Sequence, residues 1–465
     1  MSDADPDAEH PDAGPSVRNP YLIGNFAPVT LELTVDVPLE VEGFVPPALE
    51  GLLVRNGPNP AIFPDPATYH WFTGDGMVHA VELTGGRAVA YRNRWVRTRR
   101  LARETGTPAP RGPAEPIDGP ANTNVIWHAG RLLALVETGF PHRLTTALET
   151  VGVEDFDATL TSPMTAHPKA DPDTGGLAFF GYDVFGPPFL RYHEMDAAGS
   201  IVHTTEIDIP RATMQHDFAV TAGHVVFLDL PVVFDLDLAA QGRPIPFRWS
   251  PEAGARLGVL ARGAPGDQVR WTGIEPCFAF HVMNAFDEGT GVTLDLCRYD
   301  RAMETAPGRA LSDARPTLER WRIDPVSRRV EMIQLDDRAV EFPRVDDTLA
   351  GRPYRFGYAV ELDRPEDVEV PTGLVRYDLA RDEADHWDPG PGRFPSEPIF
   401  VRAPDGRSDD EGWVLTVVYD QGRDRSDLVI LDGTRLHGPP EAVIRLPARV
   451  PFGFHGSWVP ATAYR

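Results

Sequence analysis

The stretch Val78-His79-Ala80-Val81-Glu82-Leu83-Thr84-Gly85-Gly86-Arg87-Ala88-Val89-Ala90-Tyr91-Arg92-Asn93-Arg94-Trp95-Val96 reads as two strands joined by a tight turn. Residues 78–83 and 88–96 are β-prone, and the Gly-Gly between them supplies the positive-φ backbone that a short hairpin loop requires. The same signature recurs along the chain. Residues 124–127 and 132–136 flank His-Ala-Gly-Arg, 190–194 and 201–207 flank Asp-Ala-Ala-Gly, and 218–221 and 225–228 flank Ala-Gly-His. The pattern continues with 318–323 and 329–333, 374–379, 399–401 and 413–419, and 428–431 and 442–445, with a further short strand at 52–55. Helical patterns are few and short: residues 143–149, a stretch near Leu236, and residues 251–259.

A chain of 465 residues exceeds what one hydrophobic core sustains, since cores stop growing at roughly 250–300 residues. Hairpins repeated over this length outnumber the strands of a sandwich or simple barrel. Radial repetition as a β-propeller leaves only short edges, so an all-β propeller is the expected fold. No strict sequence period gives the blade number. Residues 1–18 are acidic and proline-containing, without the apolar segment of a signal peptide, and are expected to be a disordered tail before a single domain over 19–465. No apolar run approaches the roughly 18 residues of a membrane span, so a cytoplasmic protein is expected.

The net charge of -25, from 44 basic and 69 acidic residues, argues against a nucleic-acid partner, because that binding is driven by a basic field. Lys169 is the only lysine, which removes any mechanism that needs a second one. Cys277 and Cys297 have no disulfide spacing signature and read as buried free thiols, a disulfide being the alternative. Two stretches interrupt the strand pattern: a Pro/Gly-rich loop over 99–121 and an apolar insertion over 231–246. Loops of this length usually carry function or lack order.

Four histidines stand apart from the other ten. His167 in Thr-Ala-His-Pro, His216 in Met-Gln-His-Asp-Phe, His281 in Phe-Ala-Phe-His-Val-Met and His455 in Phe-Gly-Phe-His-Gly each sit among apolar or small residues at a turn or strand. Pro168 keeps His167 out of helical geometry. A buried imidazole needs both nitrogens satisfied, and a metal plus a hydrogen-bond acceptor does that. The inner strands of a propeller face one axis, where residues distant in sequence meet. Three lone acids beside apolar strands, Glu137, Glu341 and Glu397, are candidate acceptors; salt bridges to arginines are the equal alternative. His386-Trp387-Asp388 has the spacing of a facial-triad start but reads as an exposed loop.

Seven ordered segments add a further argument: Asn-Pro-Tyr-Leu-Ile-Gly-Asn-Phe-Ala-Pro-Val (19–29), Arg-Asn-Gly-Pro-Asn-Pro (55–60), His-Trp-Phe-Thr-Gly-Asp-Gly-Met-Val-His (70–79), the His167 segment, Glu-Phe-Pro (341–343), Ser-Glu-Pro-Ile-Phe-Val (396–401) and the His455 segment. Together they resemble the carotenoid cleavage oxygenases over about residues 19–465. The resemblance implies a seven-bladed β-propeller with a cap of loops and short helices over a non-haem Fe(II). It implies iron held by His167, His216, His281 and His455, with Glu137, Glu341 and Glu397 hydrogen-bonded to three of them. It places Thr123 near the open coordination position. Four neutral imidazoles suit a divalent first-row metal, and an octahedral ion then keeps two positions for O2 and the approaching alkene.

The family divides between polyene and stilbene cleavers. The stilbene type carries a lysine just before the first of the three glutamates, which binds a phenolic oxygen, and an upstream tyrosine. Here that position is Val136, and no tyrosine lies between Arg92 and Glu137. An apolar polyene, a carotenoid or apocarotenoid, is therefore the expected substrate together with O2, with stilbene or phenylpropenoid cleavage as the alternative. An isomerase or non-catalytic propeller is a further alternative. The apolar stretch 230–238 is expected either to touch a membrane at the tunnel mouth, as in relatives, or to pack under the cap.

Overall fold

The computed structural model describes residues 18–114, 117–303, 314–364 and 368–465. The expected tail over 1–18 lies outside these residues except for Arg18. Thirty-three strands are found among the described residues, and seven sheets of four or more strands form the seven blades of a propeller. A small extra ribbon pairs Val232–Phe234 with Phe247–Trp249.

Each blade is an antiparallel meander running from the axis outward. Blade 2 is Asn124–His128, Arg131–Leu135, His142–Leu144 and Thr150–Val153. Blade 3 begins at Lys169–Ala170, blade 4 at Ala219–Val220, blade 5 at Phe278–Glu288 and blade 6 at Val340–Arg344. Burial follows this order. Leu177–Tyr182, second in blade 3, is buried at every position, whereas Ile201–Ile207, outermost, alternates half-buried and exposed.

The two chain ends lock the ring. The last strand, Gly456–Pro460, pairs with Gly51–Pro58 and becomes the innermost strand of blade 1. The early strand Val41–Gly43 adds to Ala442–Arg445 as the outermost strand of blade 7. Gly456 permits the first closure: a Cβ there would lie 2.3 Å from the Val54 carbonyl oxygen.

The period-2 alternation explains how so long a chain is stabilised. Successive residues of one strand face opposite blade interfaces. Leu132 packs with Leu52 and Val78 between blades 1 and 2, while Leu133 packs with Phe179 and Met195 between blades 2 and 3. Seven apolar clusters result, one at each interface around the ring. No single core has to grow large.

Several sequence expectations require correction. Residues 143–149 are not helical: His142–Leu144 is a strand, and the chain then turns with Leu148 at φ 67° so that Leu144 and Leu148 both enter the core. Residues 251–259 yield only the single helical turn Pro251–Ala253; Gly254 at φ 74° ends it, and Ala255–Ala261 joins the sheet beside His224–Asp229. The loop over 99–121 holds the helix Arg99–Thr105, capped by Thr98, whose hydroxyl accepts from Leu101 N–H, and ended by Gly106 at φ 69°. His386 is on a strand, not in an exposed loop: Glu383–Trp387 is the outermost strand of blade 6. The helix near Leu236 is present as Leu236–Ala240. Cys277 and Cys297 are free and buried.

Candidate metal centre

The four histidines come from four different blades and meet at the axis. His167 precedes the inner strand of blade 3, His216 precedes that of blade 4, His281 lies within that of blade 5, and His455 immediately precedes that of blade 1. His167 Nε2 is 3.1 Å from His216 Nε2, which is 3.4 Å from His281 Nε2. The His455 ring centroid lies 4.6 Å from that of His167 and 4.8 Å from that of His281. All four rings are at most one-eighth exposed or less.

Local backbone irregularity aims two of these groups. Between Ala279 and Val282 the inner strand of blade 5 carries one residue more than its partner, and His281 sits in that bulge. Blade 6 repeats the device between Glu341 and Arg344, with Phe342 at φ 52°. Bulges of this kind turn a side chain out of the sheet's regular alternation toward a site.

Glutamates hold three rings from behind. His216 Nδ1–H donates to Glu137 Oε2 at 2.8 Å, His281 Nδ1–H to Glu341 Oε2 at 2.5 Å, and His455 Nδ1–H to Glu397 Oε1 at 2.9 Å. The carboxylates are themselves fixed. Tyr182 O–H donates to Glu137, Phe342 N–H to Glu341, and Gly456 N–H and Arg344 to Glu397. Thr123 lies at the head of the inner strand of blade 2 and lines the cavity beside the rings. Its carbonyl accepts from His455 N–H at 3.1 Å, and its hydroxyl donates to Asn122 Oδ1.

The electrostatics favour the neutral, ligating form of His167 and His455 and pull the other way at His281. Burial and the neighbouring imidazoles push the His167 pKa well below its ordinary value. Burial likewise pulls His455 down to about 4, against the pull of Glu397. Burial opposes the ionised form of Glu397, but Arg344 and His455 prevail and hold its carboxyl down at about 2. For His281, burial lowers the pKa and Glu341 raises it, and the carboxylate prevails.

The donor set fits a cation. An ionised carboxylate can only accept, so the proton on each Glu-bound ring sits on Nδ1. The Nε2 atoms of His216 and His281 then present bare lone pairs to one another at 3.4 Å in a buried space. Between neutral rings such an arrangement is repulsive, and either a cation between them or a second proton on one ring relieves it. His167, His216 and His281 each offer a ligand atom within 4.8 Å of the others, and His455 completes the ring set.

Two cavities reach the rings from opposite sides. The larger, about 560 Å³, ends at His216, His281 and His455 and is walled by Phe26, Trp71, Phe72, Phe280 and Leu362. Phe234 and Phe247, paired across the small extra ribbon, and Ala239 of the helix Leu236–Ala240 also line it. The smaller, about 270 Å³, reaches His167, His281 and His455 from the other face and is lined by Lys169, Asp217 and Arg344.

Residues 26–460 match the protein family described as retinal pigment epithelial membrane protein. The chain is 38% identical over 495 aligned residues to a carotenoid cleavage oxygenase of Mycobacterium tuberculosis, covering 96% of this chain and 98% of that protein. This chain belongs to the carotenoid cleavage oxygenase family. An isoeugenol monooxygenase of Pseudomonas nitroreducens is 34% identical, with 95% and 98% of the two chains covered. The solved lignostilbene dioxygenase of Pseudomonas brassicacearum superposes with a TM-score of 0.88 at 33% identity, covering 97% of this chain and all of that one. The chain is thus an oxygenase built on the family's propeller.

The sequence missed two groups that hold the glutamates behind the rings. Tyr182 and Arg344, which orient two of the glutamates, lie in ordinary strand contexts that carry no local signal. His386, singled out for its spacing, lies on the outer edge of blade 6 against Glu361 and takes no part in the site.

Proposed function

We propose that this oxygenase is an Fe(II)-dependent dioxygenase that cleaves a conjugated C=C bond of a carotenoid or apocarotenoid into two carbonyl products. The observation that carries the reading is the convergence of His167, His216, His281 and His455, three of which line a largely apolar cavity of about 560 Å³. Iron bound by the four imidazoles would supply the activation of O2 and its delivery to the alkene. The chain's own work is to bind, orient and dry. The three glutamates fix the tautomer of their rings and offset the charge of the ion. Phe26, Trp71, Phe72 and Phe280 give a polyene apolar contact and exclude water from the reacting carbons. Thr123 sits beside the rings, at the position proposed to face the oxygen-binding side.

The cavity wall favours the polyene. Val136, next to Glu137, lines it and offers no charge to a phenolate. The sole lysine, Lys169, is on the opposite face, 2.6 Å from Asp217, and cannot substitute. A stilbene or phenylpropenoid remains the second reading, supported by the isoeugenol and lignostilbene relatives.

Among the described residues no helix is long and apolar enough to cross a membrane. Phe185, which lines the cavity, and Leu236, on the short helix whose Ala239 lines it, are each 70% exposed, while Leu230 and Val232 are buried. The stretch 230–238 thus divides: Leu230 and Val232 pack in the core between blades 4 and 5, and Leu236 with Phe185 forms the proposed contact for a lipophilic substrate or a membrane surface. Incubating the Fe(II)-loaded protein under O2 with apocarotenals, carotenoids, stilbenes and isoeugenol, and weighing the products, tests the reading. Two carbonyl fragments from a polyene are expected; turnover of phenolic substrates alone selects the second reading.

A further inference from the structure

Inner strands of neighbouring blades share no ladder, so something else must hold their axial ends at fixed spacing. Here a belt of polar bridges does so. Asn56 Nδ2 donates to the carbonyls of Ala121 and Asn124, joining blade 1 to blade 2, and Asn124 Nδ2 donates to Ala166 O beside His167. Glu397 takes Gly456 N–H, joining blade 7 to blade 1. Across blades 3, 4 and 5 the belt runs through Asp217, beside a longer bridge from the Thr165 hydroxyl to His216 O.

Asp217 is 3% exposed and follows His216 directly. Its Oδ1 accepts from Phe218 N–H at 2.8 Å and lies 2.6 Å from Lys169 Nζ, two residues past His167. Its Oδ2 accepts from Val282 N–H, the residue after His281, at 2.8 Å. One buried carboxylate therefore ties together the backbones that carry three of the four imidazoles. We propose that Asp217, held by Lys169, is a positioning residue that sets the spacing of His167, His216 and His281 and thereby the affinity and geometry of the metal site. The inference rests on the four-histidine reading of the centre.

The other end of the same strands supplies a control. Asp287, on the inner strand of blade 5, also binds blade 4, accepting from Thr221 O–H, His224 Nδ1–H and Gly223 N–H at 2.7–2.8 Å. Asp287 is comparably bonded across the same pair of blades but does not line either cavity at the centre. If Asp217 serves only to join blades, the two carboxylates are equivalent. If it sets imidazole spacing, only Asp217 matters to the metal.

The experiment titrates the metal-free full chain with Co(II) and follows the visible d–d absorption and the melting temperature of wild type, Asp217→Asn, Asp287→Asn, Lys169→Met and Lys169→Arg. Asp217→Asn is expected to weaken Co(II) binding roughly 10–100-fold, the usual cost of losing a group that orients a ligand, and to shift the absorption band. Asp287→Asn is expected to lower the melting temperature with affinity and band unchanged. Lys169→Met is expected to weaken Co(II) several-fold, and Lys169→Arg to restore it. Equal Co(II) affinity and spectra in Asp217→Asn and Asp287→Asn overturn the proposal. Should Asp217→Asn not fold, Lys169→Met with wild-type affinity and spectrum overturns it instead. Wild type that takes up no Co(II) overturns the four-histidine reading itself.

Discussion

Two histidine–glutamate contacts in this molecule lie at the two extremes of the blades. At the axis, His281 Nδ1 meets Glu341 at 2.5 Å; at the rim of blade 6, His386 Nε2 meets Glu361 at 2.7 Å. The axial ring is 11% exposed, and its free Nε2 faces a second imidazole at 3.4 Å. The rim ring is 38% exposed and faces no other histidine among the described residues. Both pairs join a polar side chain to an acid on a strand, yet only one can hold an ion. A His–Glu pair is suited to hold an ion when several blades aim such pairs at one point; alone at an edge it is an ordinary side-chain contact.

The harshest test removes an axial ring. His281→Ala deletes one of the four proposed ligands and leaves Glu341 as a buried carboxylate without its ring. Iron measured per folded protein is expected to fall to background, and oxygen uptake with it. Wild-type iron content in that variant would break the contrast between hub and rim. A large change away from the axis should do the opposite. Trp321 in blade 5 is fully buried in the interface with blade 4, and its indole N–H donates to Glu319 at 2.7 Å. Trp321→Ala is expected to cost about 3–5 kcal/mol of stability. Chemical denaturation would report that loss, while iron per folded protein stays at the wild-type ratio.

A smaller effect is expected one step behind the ligands. Glu341→Gln keeps the shape but presents a neutral acceptor to His281. Metal affinity or turnover should drop roughly 10–100-fold, with the fold intact. Competition with a coloured chelator measures the first and O2 consumption the second. An unchanged affinity would mean that the charge on Glu341 does not tune the ring.

How much of this could be read beforehand divides along the same line. The hairpin around Gly85 and Gly86 was legible because turn chemistry and β-prone residues are local signals, and the observed strands Gly76–Thr84 and Arg87–Trp95 match it closely. The four histidines were legible as odd polar residues in apolar strings, and family resemblance grouped them. Residues 143–149 misled because buried Leu144 and Leu148 fall at helical spacing by accident of a turn. The helix Arg99–Thr105 hid in a loop because its capping residue precedes a short arginine-rich run with little apolar periodicity. Ring closure was not legible at all: the pairing of Gly456–Pro460 with Gly51–Pro58 joins segments from opposite ends of the chain. Asp217 and axial bridges such as Asn124 to Ala166 depend on which blades become neighbours, which no local window contains.

The rim pair gives the finest test. His386→Ala removes a contact between side chains that are 38% and 27% exposed, where solvent screens the attraction and side-chain entropy opposes it. Its strand is the last of blade 6, hydrogen-bonded on one side only, so little packing depends on the ring. The change in stability is expected to stay within about 1 kcal/mol. Iron content and the rate of O2 uptake should match wild type. A loss of iron in this variant would show that the spacing of His386 and Asp388 carries a site after all, and that closeness to the axis is not what separates a ligand from a surface ion pair.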